Sequence, residues 1–388
     1  QIVDEMEAVA GGAHPGFRRN HAKGQCISGH FESNGNATEV SHAAMLQRGT
    51  VPLIGRLSAA GGDPAQVDVH GMIRSMALRL AGSEGDAWYM AMNSVPVFPV
   101  NTPQGLYEQL RASMPEYGGT GPDPQKMNAF KQAHPEIQPF EAWLADHPGS
   151  SGFDNTAYYS VNAFRMTNAQ GQVRFVRWSM VPETPYKAIT AAQRSDPDFL
   201  AFGFATQLEQ GPVRWHLIIT LADPGDVTTD ATVRWPEGRR QIDAGVLVID
   251  DQQAQVDGAC RDIDFNPLEL PAGIAPSDDP LLLARKAAYA ESHRRRISEE
   301  RLRQEFFQAL GINHFPRLFY SQNNLNEGIA MGLPTDAQPL DFTALALPLG
   351  EANGGGVNVE YDPEFLQLDE EALGKPAVQY GGGIPQAV

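Results

Sequence analysis

From Tyr158 to Met180, apolar and polar residues roughly alternate on both sides of Asn168-Ala169-Gln170-Gly171. A period of two around a turn-forming tetrapeptide predicts a β-hairpin. Val213 to Leu221 and Ala244 to Ile249 read as two further strands. Gly24 to Ser33 sets Ile27 and Phe31 among glycines, as expected of a strand that passes close to a bulky ligand. Helices are predicted at Pro103 to Met114 and at Pro124 to Ala133. The longest predicted helix opens at Asp279, an acidic N-cap, with Pro280 at the first helical position, where a missing N–H costs nothing. No Gly or Pro then intervenes before Leu310, and Gly311 is a natural stop. With strands first and helices later, the order favours an α+β class over an alternating parallel sheet.

The last of these helices carries the most suggestive chemistry. Arg285, Tyr289, His293 and Arg296 fall at offsets of 0, 4, 8 and 11 and so share one helix face. A tyrosine titrates near pH ~10, so a phenolate at neutral pH needs a fixed cation beside it, and a metal ion would supply more. Two arginines flanking a phenol on one face suit a flat, dianionic cofactor. The competing reading makes Arg294-Arg295-Arg296 a solvated face paired with Glu299 and Glu300. Far upstream, His21 in His21-Ala22-Lys23-Gly24 offers a base. Together these residues suggest a haem with an anionic oxygen ligand below and a base above.

Composition narrows the setting. A chain of 388 residues, 42% of them hydrophobic, can bury a large core. With 29 basic and 47 acidic residues the formal charge is −18, which argues against nucleic acid and for a small partner. Cys26 and Cys260 are the only cysteines, so neither a disulfide framework nor a cysteine-based zinc site is indicated, although one bridge can form. His14, His30, His70 and His216 show no metal-ligand spacing. No apolar run approaches the roughly 18 residues that cross a bilayer. The start Gln1-Ile2-Val3-Asp4 reads as trimmed. A removed export signal would favour a periplasmic or secreted protein over a cytoplasmic one.

Several short motifs occur in an order that resembles the haem catalase family, in particular its small catalase-related peroxidase branch. Gly16-Phe17-Arg18-Arg19-Asn20-His21-Ala22-Lys23-Gly24 is similar to the family's distal histidine segment. Pro52-Leu53-Ile54-Gly55-Arg56-Leu57-Ser58 resembles its Arg-Phe-Ser strand, and Ile73-Arg74-Ser75-Met76-Ala77 its Arg-Gly-aromatic-Ala segment. Asn93-Ser94-Val95-Pro96-Val97-Phe98 resembles the distal asparagine segment. Phe265-Asn266-Pro267, Gly273-Ile274, Asp279-Pro280, Arg285, Tyr289 and Arg296 resemble the proximal segment. The resemblance covers residues 1 to about 300.

It implies an antiparallel eight-stranded β-barrel with surrounding helices, and haem b between the barrel and a long proximal helix. It makes His21 the distal base, Asn93 the distal hydrogen-bond donor, Tyr289 the axial ligand and Arg285 its partner. Ser58 would orient His21, Arg18, Arg56 and Arg296 would hold the haem propionates, and Phe98 would line the distal pocket. The residue types fit the chemistry. An imidazole can take a proton from one peroxide oxygen and return it to the other near neutral pH, and an amide supplies a dipole without competing for that proton. An anionic ligand stabilises ferric iron, and tyrosine is the established axial ligand of catalase haem.

Two departures bear on activity. Asn20 stands where full-length catalases have an aliphatic residue before the distal histidine, a change in polarity beside the base. Met72 stands where they have an acid associated with drawing peroxide into the main channel. The flavodoxin-like appendage and the long N-terminal arm of catalase tetramers are missing, which implies an open pocket and a monomer or homodimer. The expected activity is peroxidase turnover of hydrogen peroxide or organic hydroperoxides with a small organic reductant, and weak dismutation. The alternatives are rearrangement of fatty acid hydroperoxides, as in catalase-fold allene oxide synthases, and a non-enzymatic barrel that binds haem or lipid. Residues 1–310 form the expected core. Residues 311–388, which contain Asn353-Gly354-Gly355-Gly356, form a Gly-rich extension, partly irregular or docking on the core through stretches such as Phe342 to Leu349.

Overall fold

The computed structural model describes residues 1–309 apart from 83–85 and 116–120. The expected extension over 311–388, with Phe342 to Leu349 and the Gly311 stop, lies outside the described residues. The chain divides into two units, Gln1–Ile297 and Ser298–Val388, and the candidate site belongs to the first.

Helix α1 (Ile2–Val9) leads into strands β1 (Gly24–Ser33), β2 (Gly49–Ala59), β3 (Arg74–Ala81) and β4 (Ala87–Asn93). Helices α2 (Pro103–Ala112), α3 (Pro124–Ala133) and α4 (Gln138–Asp146) follow, then β5 (Tyr158–Tyr159), β6 (Phe164–Thr167) and β7 (Val173–Pro182). Next come α5 (Ala191–Arg194), α6 (Phe199–Gln210), β8 (Val213–Leu221), β9 (Gln241–Ala254), β10 (Ile274–Pro276) and α7 (Pro280–Ala309). The α+β class holds, but α1 precedes the strands, and α2 to α4 and then α5 and α6 interrupt them rather than following them.

All strand pairings are antiparallel. The order β7-β5-β4-β3-β2-β1-β9-β8 closes when β8 pairs with β7, so eight strands form a barrel; β6 and β10 extend from β7. Closure removes the free edges that would otherwise recruit another strand. Alternation sets the two faces. Met76, Leu78 and Leu80 of β3 and Trp88, Met90 and Met92 of β4 point into the barrel core, packed with Phe31, Phe164 and Trp215. The intervening Ser75, Ala77 and Arg79, with Tyr89, Ala91 and Asn93, stand on the outer face.

The predicted hairpin is shorter and broken. Its turn forms as expected, with Asn168 Oδ1 accepting from the Gln170 and Gln172 N–H groups and Gly171 at a φ of 75°. Between β5 and β6, however, Val161 takes a φ of 65°, and the Asn162 N–H donates to the Ser160 carbonyl. This kink separates β5, which pairs with β4 and β7, from β6, and it turns Asn162 toward α7. Helix α7 starts where predicted: Asp279 Oδ1 accepts the Leu281 N–H at 2.9 Å.

Candidate active site

The site is built on one transverse row of the barrel's outer wall. Gly24 pairs with Ser58, Ser58 with Ser75, Ser75 with Asn93 and Asn93 with Tyr159. Paired residues of antiparallel strands face the same side, so Ser58, Ser75, Asn93 and Tyr159 share this wall. Ser75 Oγ donates to Asn93 Oδ1 at 2.6 Å. That bond fixes the carboxamide and leaves its N–H₂ group for a ligand. Ser75 stands where the resembled motif has glycine, which is the one sequence signal that could have singled it out. Replacing Ser75 with Ala is expected to lower peroxide-driven turnover about 2- to 10-fold, the effect of one neutral hydrogen bond. Thr at the same position should restore it, and steady-state rates of the two variants decide the matter.

At one end of the row, His21 sits just before β1 with a φ of 56°, a left-handed conformation that is unusual for a residue with a side chain. Asn20 holds it there: its Oδ1 accepts the His21 N–H at 2.9 Å and the Gly61 N–H at 3.0 Å. The Asn20 side chain therefore buckles two backbone segments together. It is exposed and spends its acceptor on that task, so the expected role of polarity beside the base gives way to a backbone role. Two residues on, Lys23 Nζ lies 2.9 Å from Asp68 and 2.5 Å from Asp198, and donates to the Gln66 and Pro197 carbonyls. A buried cation with two carboxylates and two carbonyls anchors the segment, so Lys23 is structural. Burial foremost, then the positive charges of Arg56, Arg285 and Arg18, push the His21 imidazole down to about 3. His21 is thus held neutral, as a base must be. Its Nδ1 is buried without a well-formed hydrogen bond; the Ala59 backbone is near enough to favour the proton slightly. Ser58 is buried on the row, and no bond from it to His21 is formed.

Helix α7 covers the same wall. Tyr289 packs against the buried cluster of Cys26, Cys260 and Phe265, as do Ile54, Ala77 and Tyr89 of the barrel. The Arg285 guanidinium carbon lies 5.9 Å from the Tyr289 ring centroid, as the four-residue spacing predicts. Arg285 is itself fixed by Asn162 Oδ1 at 2.6 Å and the Ala91 carbonyl at 2.9 Å. Asn162 Nδ2 in turn donates to Asp279 Oδ2 at 2.8 Å. A chain from the carboxylate through the amide and the guanidinium to the phenol therefore spans the helix. Nothing local marks Asn162, which reaches α7 across 117 residues through the β5–β6 kink.

Arg18, Arg56 and Arg296 gather beside this chain. Arg18 donates to the Cys260 and Ile263 carbonyls, Arg56 to the Ala22 carbonyl and Gln255 Oε1, and Arg296 to the Arg261 carbonyl. None of the three reaches a carboxylate at ion-pair distance among the described residues. Burial lowers the pKa of all three; Arg296 and Arg56 lower that of Arg18 further, and Arg296 that of Arg56. The Nε atoms of Arg56 and Arg296 are buried without a partner. A Cβ on Gly24 would fall 2.6 Å from the Arg56 guanidinium, so only glycine leaves that group its place. Asp264, partly buried, offsets some of the charge of Arg18 and Arg296, and Asp262 some of that of Arg296; the carboxylates of a ligand would offset more.

Cys26 and Cys260 are bonded, with Cα atoms 5.2 Å apart. The bridge ties β1 to the loop whose Cys260, Arg261 and Ile263 carbonyls hold Arg18 and Arg296. It closes a loop of 234 residues. Replacing both cysteines with Ser is expected to lower the thermal unfolding midpoint by on the order of 10 °C; a shift within about 2 °C would contradict a structural role. Phe98 packs between Val100 and Phe130 on one side and Val161, Ala231 and Leu281 on the other, joining the α2–α3 layer to the start of α7. Met72 is 49% exposed, and Asp68, four residues earlier, is committed to Lys23.

The wall, its cluster of arginines and the facing helix define a closed β-barrel with a cationic site between sheet and helix. Comparison with known proteins identifies the family. The family model described as Catalase matches residues 15–336. A catalase-related peroxidase of Synechococcus elongatus is 34% identical over 298 residues, which cover 76% of this chain and 88% of that protein. One of Mycolicibacterium paratuberculosis is 30% identical over 304 residues, with 78% and 95% covered. Among solved structures, a bacterial catalase superposes with a TM-score of 0.64 at 21% identity, over 72% of this chain and 57% of that one. Catalase A from Saccharomyces cerevisiae gives 0.63 at 21% identity, over 72% and 61%. The chain thus spans less than two thirds of either of these two catalases and most of the two peroxidases. It belongs to the catalase family, whose members are haem enzymes. The residues present fit that group: Arg18, Arg56 and Arg296 gather without an ion pair among the described residues, with Asp264 as only a partial counter-charge, and a phenol is backed by a cation on the helix that faces the wall.

Proposed function

We propose that the protein is a haem-dependent peroxidase that reduces hydrogen peroxide or an organic hydroperoxide at the expense of a small organic donor. Haem b is the proposed form, and Arg18, Arg56 and Arg296 would hold its two propionates. Tyr289 would ligate the iron as the phenolate, with Arg285 beside it. The haem, when bound, supplies the electron-transfer chemistry.

The chain's own residues manage the proton and the geometry. His21 is neutral, so its imidazole accepts the proton of an arriving peroxide and returns it to the departing oxygen as water forms. Asn93, its oxygen engaged by Ser75, offers N–H₂ to the polarised peroxide and cannot take the proton itself. Asp279, Asn162 and Arg285 hold the phenol from behind and keep positive charge beside it.

The single observation that carries this reading is the cluster of Arg18, Arg56 and Arg296, held by carbonyl and amide oxygens and without an ion pair among the described residues, between the His21 wall and the Tyr289 helix. The relatives named above support the peroxidase reading, and no observation favours hydroperoxide rearrangement or a non-enzymatic barrel. The exposed Met72 offers no charge to draw in peroxide, which supports weak dismutation. The Cys26–Cys260 bridge favours a periplasmic or secreted setting. The test is to supply haem-loaded protein with hydrogen peroxide and a phenolic donor. Rapid donor oxidation with little oxygen release is expected; rapid oxygen release with no donor oxidised would contradict the proposal.

A further inference from the structure

Beyond the row that carries Asn93, a run of aromatic side chains leads to the surface. Tyr159 pairs with Asn93 across β4 and β5 and faces the same wall. The Trp143 ring meets the Tyr159 ring edge-on, with centroids 6.0 Å apart and planes at 83°. Trp143 lies one helical turn before His147, and those two rings stack at 3.6 Å with planes only 5° apart. His147 is exposed at the end of α4. Its Nδ1 lies 2.9 Å from the Trp143 carbonyl. A carbonyl can only accept, so Nδ1 carries the proton and Nε2 is left as a free base.

Cationic and aromatic groups surround this plate. The Arg234 guanidinium carbon is 5.0 Å from the Trp143 ring centroid, and Arg234 is exposed with no carboxylate at ion-pair distance among the described residues. Arg48, Arg174 and Arg194 are also exposed without an ion pair among the described residues, and Arg234 differs from them in lying over an indole ring. Tyr186 is 54% exposed, and its hydroxyl donates to the Pro148 carbonyl, next to His147.

We propose that Trp143, His147 and Arg234 form a second, surface site at which the protein oxidises anionic aromatic donors, namely phenols that carry a carboxylate. The inference rests on the peroxidase reading and adds to it a class of donor and a route. Arg234 binds the carboxylate, and the phenol lies along the Trp143–His147 plate. Peroxide consumed at the Tyr289 site is the oxidant. One electron leaves the Trp143 indole and crosses the Tyr159 ring, which bridges without losing its proton. The donor returns one electron to the indole, and its phenolic proton goes to His147 Nε2 and then to water, leaving a phenoxyl radical. Two donors supply the two electrons that, with two protons, reduce one peroxide O–O bond to water and, for an alkyl peroxide, the alcohol. The arrangement lets a donor too bulky or too charged for the inner pocket be used without entering it.

The test compares haem-loaded wild type with Trp143→Phe, Tyr159→Leu and Arg234→Ala, using hydrogen peroxide and 4-hydroxycinnamate. Trp143→Phe and Tyr159→Leu should each lower kcat for 4-hydroxycinnamate about tenfold or more, whereas Arg234→Ala should mainly raise KM. The rate at which Trp143→Phe reacts with peroxide, followed in the first milliseconds without donor, should match that of wild type. A second readout is chemical. Peroxide without donor should oxidise the Trp143 peptide, as seen by mass mapping, and 4-hydroxycinnamate should protect it. If wild type reacts with peroxide yet Trp143→Phe keeps its kcat and the Trp143 peptide stays unoxidised, the surface site is refuted and the peroxidase reading stands. If wild type fails to react with peroxide at all, both fall together.

Discussion

Replacing His21 with Ala is expected to cut peroxide-driven donor oxidation by about 10²- to 10⁴-fold, the usual worth of a positioned acid–base group. Haem content should be unchanged, because the arginines and Tyr289 that would hold the group are untouched. The loss should appear in the reaction with peroxide and not in the binding of donor. The imidazole's neutrality also has a consequence for stability. Its value in the folded protein is pushed down to about 3, mainly by burial, against about 6.5 when unfolded. The unfolded chain therefore binds the proton more readily, and stability, complete above the unfolded value, declines as pH falls from there toward 3. Haem-free His21→Gln should lose less stability than wild type between pH 7 and 4, as acid unfolding followed by circular dichroism will show. An equal loss in both would contradict the assignment of that burden to His21.

Tyr289→Phe is expected to abolish turnover to the level of free haem. Phe fills the same space against Cys26, Cys260 and Phe265, so the fold should survive, and thermal unfolding of the haem-free variant should stay close to wild type. What disappears is the oxygen that would meet the iron. Arg285 would keep its bonds to Asn162 and Ala91 and face a ring with no charge to balance. A variant with more than a small fraction of wild-type turnover would show that the ligand lies elsewhere.

Much of this site is legible in the sequence because its parts are local. The i, i+4 pair of Arg285 and Tyr289 is a property of one helix, β1 is marked by Ile27 and Phe31 among glycines, and the start of α7 by Asp279 and Pro280. The rest depends on register and on distant contacts. Strand β5 is only Tyr158–Tyr159, too short for any periodic signal, yet it completes the barrel and carries the partner of Asn93. Ser75 acts through a bond across β3 and β4, and Asn162 through a backbone kink that no propensity marks. Asn20 stands out in the sequence for its polarity, but its role is to hold the left-handed His21, which only three-dimensional contact with Gly61 reveals. Arg18, Arg56 and Arg296 are readable as family positions; their gathering in one cluster without an ion pair among the described residues, which gives them physical meaning, is not.

Whether an oxygen of Tyr289 faces the iron is tested most directly by the visible absorption spectrum of haem-loaded wild type beside that of Tyr289→Phe. A five-coordinate, high-spin ferric pattern in wild type that is lost or replaced in the variant is the predicted result. The same spectrum in both proteins, or no retained haem in wild type, would contradict it.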